Sequence, residues 1–355
     1  HTVYNLYVTG AGSASANGAG LGFISYVDNP NFHMNNIKFR FAEVRGTGGN
    51  YNYAVAIAYF KRGHMDNVGV EDSLVKGNNF SAGLVTGWDS GYNAVDASGN
   101  RTNTEGTTIN HCHTTRVYTY GASCIGNFAA PLRGCYITNS YAVDGVTVST
   151  GGHSGGFVSC PGYNYVENCF CNITMYGYNQ TAVFSGVSHL TNKYVNCFAS
   201  GVVEGVREVG GFVGQGAGES YSNPSYYENC YSTTMVGMQS NAQNMGGFVG
   251  YDTSLLHFKN CYAAGEVETL TTDPKTATNV GGFAGVISAG TTNCTNCFYD
   301  KQTTAMAERV VGGRNTNNGI TGYQTKEILG TKQEDGNVSL PAGYTDDTWL
   351  AHEGM

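Results

Sequence analysis

The sequence predicts an all-β chain wound as a right-handed parallel β-helix of about ten coils, with a short irregular C-terminal segment. Three observations carry this expectation. An Asn-centred corner recurs at intervals of 28 to 43 residues, period-2 alternation follows each corner, and a glycine-framed Phe returns about half a period away. A repeat of about 20 to 50 residues marks stacked units, because one such unit cannot bury its apolar face alone.

Composition agrees. Charged residues are only 12% of the chain, against roughly a quarter in ordinary domains, while Gly (51) and Tyr (25) far outnumber Pro (6). That balance suits short strands joined by tight turns and argues against helices. The net charge of −8 weighs against nucleic acid as a partner, since phosphate binding needs a basic footprint. No apolar run approaches the roughly 20 residues of a membrane-spanning helix. The chain opens inside a strand-like stretch, His1-Thr2-Val3-Tyr4, and reads as a segment of a longer protein.

Taken in order, the corners fall at Asn5, Asn36, Asn67, Asn110, Asn139, Asn168, Asn196, Asn229, Asn260 and Asn296. Asn tolerates the left-handed backbone that a corner requires, and its amide can bond a neighbouring Asn. The residue after the Asn is Leu6, Ile37, Val68, His111 and Ser140, then Cys169, Cys197, Cys230, Cys261 and Cys297. That slot faces a core and asks for size rather than sulfur, so the eleven cysteines read as packing groups before they read as a disulfide framework. The position three before the Cys is also apolar (Val166, Tyr194, Tyr227, Phe258), which breaks the period-2 parity and places a turn at the Asn. The second strand of each unit centres on Phe23, Leu84, Cys124, Phe157, Phe184, Phe212, Phe248 and Phe283, which would fill the axis. The repeat occupies residues 1–304. Residues 305–355 are richer in charge and read as a cap or a linker to a following domain.

The Gly-Gly-Phe-Val-Gly units and the Asn-Cys-aromatic units, such as Asn229-Cys230-Tyr231, resemble GLUG-motif repeats. The segment from Asn296 to Thr304, with the Gly-Ile-Thr-Gly stretch at 319–322, resembles the exit from such an array. These repeats occur in bacterial surface proteins, adhesins and some IgA-specific proteases. The resemblance implies an extracellular or cell-surface bacterial protein and supplies no catalytic residues.

Candidate chemistry is sparse. His111-Cys112-His113 is the densest set of metal-type ligands, but strand alternation sends Cys112 to the opposite side from the two histidines. Cys294 and Cys297 form a CxxC without a second pair. A glycan-active β-helix enzyme, the alternative function, needs paired carboxylates, and the acids at Glu204, Glu208, Glu266 and Glu268 sit in turn-like stretches. No cofactor, metal or catalytic set is expected. The longest interval, between Asn67 and Asn110, carries Trp88, Asp89 and Tyr92. Insertions in a solenoid emerge on its side and often bind, so these three residues form the candidate ligand-binding loop. A Trp and a Tyr beside Asp could stack on a sugar and hydrogen-bond its hydroxyls. The expected function is a non-catalytic structural and binding module whose partner is a host or microbial surface glycan or protein.

Overall fold

The computed structural model describes residues 1–11, 18, 20–48, 52–87, 92–102, 106–188, 190–216, 224–252, 256–267, 278–287, 293–306, 311–312, 319–328, 331–332 and 338–339. Apart from the antiparallel pair Thr331–Lys332 and Val338–Ser339, strands pair in parallel with the strand one repeat later, which makes a stacked β-solenoid. Before the corner, Thr107–Asn110, Cys135–Thr138, Tyr165–Glu167, Lys193–Val195, Ser225–Glu228, Leu256–Lys259 and Asn293–Thr295 follow one another in register. Beyond it runs a second ladder, from Thr2–Tyr4 against Lys38 to Arg40 through to Cys297–Asp300. Ile320–Tyr323 pairs with Cys297–Asp300 in the same sense, so stacked pairing continues past Thr304. The one helix among the described residues is Thr325–Ile328, and no helix there is long and apolar enough to cross a membrane.

The corner is a left-handed residue whose amide points along the stack. Asn36, Asn67, Asn139, Asn168, Asn196, Asn229, Asn260 and Asn296 have φ between 51° and 56°. From Asn139 to Asn260 each corner N–H donates to the carbonyl just before the next corner, as from Asn168 to Val195 at 3.1 Å. The side chains repeat the pattern outside, with Asn196 Nδ2 donating to Asn168 Oδ1 at 3.2 Å and Asn229 Nδ2 to Asn196 Oδ1 at 3.1 Å.

The expected register shifts at three positions. In the rung of Asn110 the left-handed residue is His111 (φ 50°), so the buried slot belongs to Cys112, although the Asn110 amide still accepts from Asn139 at 3.0 Å. Asn5 lies opposite Phe41, in a second left-handed column with Asp72, Arg116 and Asp144. Two corners lie five residues apart in one turn of the stack, and counting Asn alone cannot separate them. Phe128, not Cys124, occupies the Phe column.

That column is the spine of the core. Phe128, Phe157, Phe184, Phe212, Phe248 and Phe283 are fully buried and stack face to face, 4.5 to 5.1 Å between centroids. Tyr194, Tyr227 and Phe258 stack beside them and present their edges at 5.5 to 6.0 Å. Edge-to-face packing sets the positive ring rim against the negative face and adds about 0.5–1.5 kcal/mol per pair to the burial term.

The cysteine column shows why thiols suit the slot. Cys169, Cys197, Cys230, Cys261 and Cys297 are buried free thiols, and each Sγ donates to the carbonyl two residues back, 3.2 to 3.4 Å away. Ser140 makes the equivalent bond to Thr138 at 2.8 Å. From Ser140 onward the position takes a small side chain that also donates to the last carbonyl before the turn, whereas Ile37 and Val68 fill it with apolar volume alone. Outside the same strand, His113, Tyr141, Phe170, Phe198, Tyr231, Tyr262 and Phe298 stack at 4.9 to 5.1 Å. Their faces cover one another, so the stripe is a continuous stabilising stack.

Candidate functional site

The long interval folds back on the flank of the stack. Ala94 N–H donates to the Tyr163 carbonyl at 2.9 Å, and Asp96 Oδ1 accepts from Ser98 and Asn100 N–H, each at 2.9 Å. The Asn100 bonds are the largest cause holding the Asp96 carboxyl below its usual range. Gly99 has φ +77°, and a Cβ there would lie 2.3 Å from the Tyr226 ring, so this position requires glycine. Tyr226 Oη donates to the Ala97 carbonyl at 3.2 Å, joining residues 129 apart in sequence.

Beneath this loop lies an outward-facing column in register: Tyr136, Tyr165, Lys193, Tyr226 and His257. The Arg101 guanidinium sits 4.7 Å from the Tyr136 ring centroid and 5.5 Å from that of Tyr165. Thr102 Oγ1 and Tyr136 Oη lie 2.8 Å apart. Lys193 reaches Glu228 at 2.7 Å, and Lys259 reaches the same carboxylate at 2.8 Å. Tyr136 is buried beneath the loop, and beyond it the flank carries half-buried Tyr165, Lys193, Tyr226 and His257 beside a loop held by several independent contacts.

Of the candidate ligand residues, Trp88 and Asp89 lie outside the described residues. Tyr92 is half-buried, and its hydroxyl is hydrogen-bonded to Arg62, which also pairs with Asp28. Its polar tip is turned to the body of the stack. A pocket of about 400 Å³ lies further along, lined by Gly46, Thr47, Gly48, Tyr53, Lys76, Gly77 and Asn78.

The candidate histidines and acids do not converge, whereas the Cys294 and Cys297 thiols are hydrogen-bonded to each other. His111 lies 3.4 Å from Asp66, Cys112 is buried, and His113 stacks on Tyr141 with Glu71 at 3.3 Å. Burial pushes the His113 imidazole down, and Glu71 pulls it partly back. Glu204 faces Tyr176 and Gly237 in register, with no acid opposite on either side. Glu266 is exposed and Glu208 stands at a corner. Glu268 lies outside the described residues.

Sequence reasoning missed a further left-handed column on the opposite side of the coil. Phe80, Cys124, His153, Gln180, Glu208, Asn244 and Asn279 all have φ between 47° and 63° and follow one another in register. Asn279 Nδ2 donates to Asn244 Oδ1 at 2.8 Å, as in the first ladder. Burial raises the Glu208 carboxyl above its usual range, opposed by a hydrogen bond from Gln180. Cys160, seven residues after His153, brings its Sγ to 3.0 Å from that of Cys124. The hydrogen bond between the two thiols brings Cys124 down to about 6, while burial holds Cys160 well above the usual thiol range. The signal in the sequence was a His one repeat after a Cys that stands outside the main cysteine column.

Comparison with family models, with curated proteins and with solved structures returned no match.

Proposed function

We propose that the chain is a non-catalytic structural and binding β-solenoid, right-handed and of about ten coils, belonging to a bacterial cell-surface or secreted protein and akin to GLUG-motif repeat regions. In this reading the stack is a stiff support and the flank under residues 92–102 engages a glycan or protein of a host or microbial surface. One observation carries it: the loop of the longest interval is fixed across several rungs by Tyr226, Arg101 and Tyr136, while the core beneath stays unbroken. A merely tolerated insertion needs no such attachment; a loop held at both the backbone and the side chains keeps one shape for a partner. The local acids support the non-catalytic part, because Glu228 is neutralised by two lysines and Glu204 has no acid opposite it.

The test is a glycan array and a surface-protein binding screen with the full chain, run beside a reducing-end assay on polysaccharides. Binding that falls at least tenfold in Arg101→Ala and Tyr136→Ala supports the reading. Oligosaccharide release abolished by Glu204→Gln or Glu266→Gln would overturn it in favour of a glycan-active enzyme.

A further inference from the structure

We propose that Cys124, His153 and Cys160 form a Zn2+ site that staples two successive turns of the stack. The two sulfurs and the imidazole nitrogen all lie within 4.8 Å of one another. Cys124 and Cys160 are buried, with Phe80 packed against them, and His153 closes the set from the half-exposed rim. Cys124 comes from one turn of the stack, whereas His153 and Cys160 come from the next, so a bound ion ties the two together.

The sulfur separation of 3.0 Å is informative. It exceeds the roughly 2.05 Å of a disulfide, and two thiolates on one Zn2+ stand roughly 3.7 Å apart at Zn–S bonds of about 2.3 Å. Opening by less than an ångström is within reach of side-chain rotation. Charge also fits. Two thiolates and a divalent ion sum to zero, so no net charge remains in a buried setting, whereas a monovalent ion would leave one negative charge there. Two thiolates and one imidazole make a three-ligand zinc set, which leaves a fourth position for water on the His153 side.

Cys124 and His153 stand at neighbouring rungs of the left-handed column, at φ 54° and 63°, as Phe80, Gln180, Glu208, Asn244 and Asn279 do at the others.

The experiment uses the full chain, reduced and stripped with EDTA, then titrated with Co2+ and afterwards Zn2+. We expect one equivalent of cobalt with a thiolate-to-cobalt charge-transfer band in the near ultraviolet, displaced by one equivalent of Zn2+. His153→Asn and Cys160→Ser weaken binding by more than about a hundredfold, beyond the roughly 10–100-fold that an outer-shell change costs at such sites. His153→Asn should fold, since the same column already accommodates Asn at φ 60° and 59°. Cys230→Ser, a substitution into a slot that already holds Ser140 three rungs earlier, retains the band. As a second readout, the melting temperature of the parent rises with Zn2+ concentration and that of His153→Asn does not. No band, an unchanged band in Cys160→Ser, or a Cys124–Cys160 disulfide as the stable species in the same reducing buffer overturns the proposal.

Discussion

Asn196→Ala tests the corner directly. The change removes one donor, to Asn168 Oδ1 at 3.2 Å, and one acceptor, for Asn229 Nδ2 at 3.1 Å. Both bonds are on the exposed side of the stack, so water can replace them, and each contributes only about 0.5–1 kcal/mol. Ala must also hold φ 52°, where an L side chain costs roughly 1–2 kcal/mol that Asn partly avoids. The total destabilisation is about 2–3 kcal/mol. Asn196→Gly loses the same two bonds but has no Cβ to strain, so it should cost about 1 kcal/mol less than Ala, offset in part by the greater freedom of Gly in the unfolded chain. Urea unfolding followed by circular dichroism gives the two differences. Amide exchange at Asn196, whose N–H donates to the Glu228 carbonyl at 3.0 Å, reports whether the loss is local. If Gly proves as damaging as Ala, the left-handed conformation is not what selects Asn, and the side-chain ladder alone must account for it.

Three further outcomes follow from the core and the charges. Phe212→Ala, which empties a site stacked between Phe184 and Phe248 and edged by Tyr194 and Tyr227, should cost about 3–5 kcal/mol by denaturant titration. Tyr227→Phe should be neutral or stabilising by about 1 kcal/mol in the same assay, because the buried Tyr227 hydroxyl makes no well-formed hydrogen bond among the described residues, only a weak interaction with Ser188. Asp72 is held at about 2, first by the Arg116 hydrogen bond and then by that of Arg40. Its folded value lies below its unfolded one, so the stabilisation is complete above about pH 4 and is lost as pH falls toward 2. Asp72→Asn, which keeps a residue type suited to φ 49°, should flatten that part of the stability–pH curve.

The stacked parallel architecture was legible because the repeat leaves its mark at every rung. The Asn corner, the small slot after it and the glycine-framed Phe each recur, and errors at single rungs average out. Single rungs were less secure. Asn110 looks like the corner of its rung, yet His111 takes the left-handed conformation, and Asn5 belongs with Phe41 and Asp72. Residue type signals that a turn is near; it does not say which of two corners in one coil is meant. The candidate site was less legible still. The insertion's length marks Trp88, Asp89 and Tyr92 as a binding loop, but nothing in the local pattern shows that Tyr92 bonds to Arg62 or that Arg101 and Gly99 attach the loop to the stack.

What the sequence determined by itself was the repeating unit: an Asn turn, a core-facing residue behind it and an aromatic for the axis. Those properties are local, fixed by backbone sterics and side-chain volume within a few residues. What only the tertiary structure decided was which rungs meet. Tyr226 touches a loop 129 residues earlier, and Cys124, His153 and Cys160 converge. These contacts depend on how successive turns stack and where the insertion falls back, and no local pattern encodes a distance between residues that far apart along the chain.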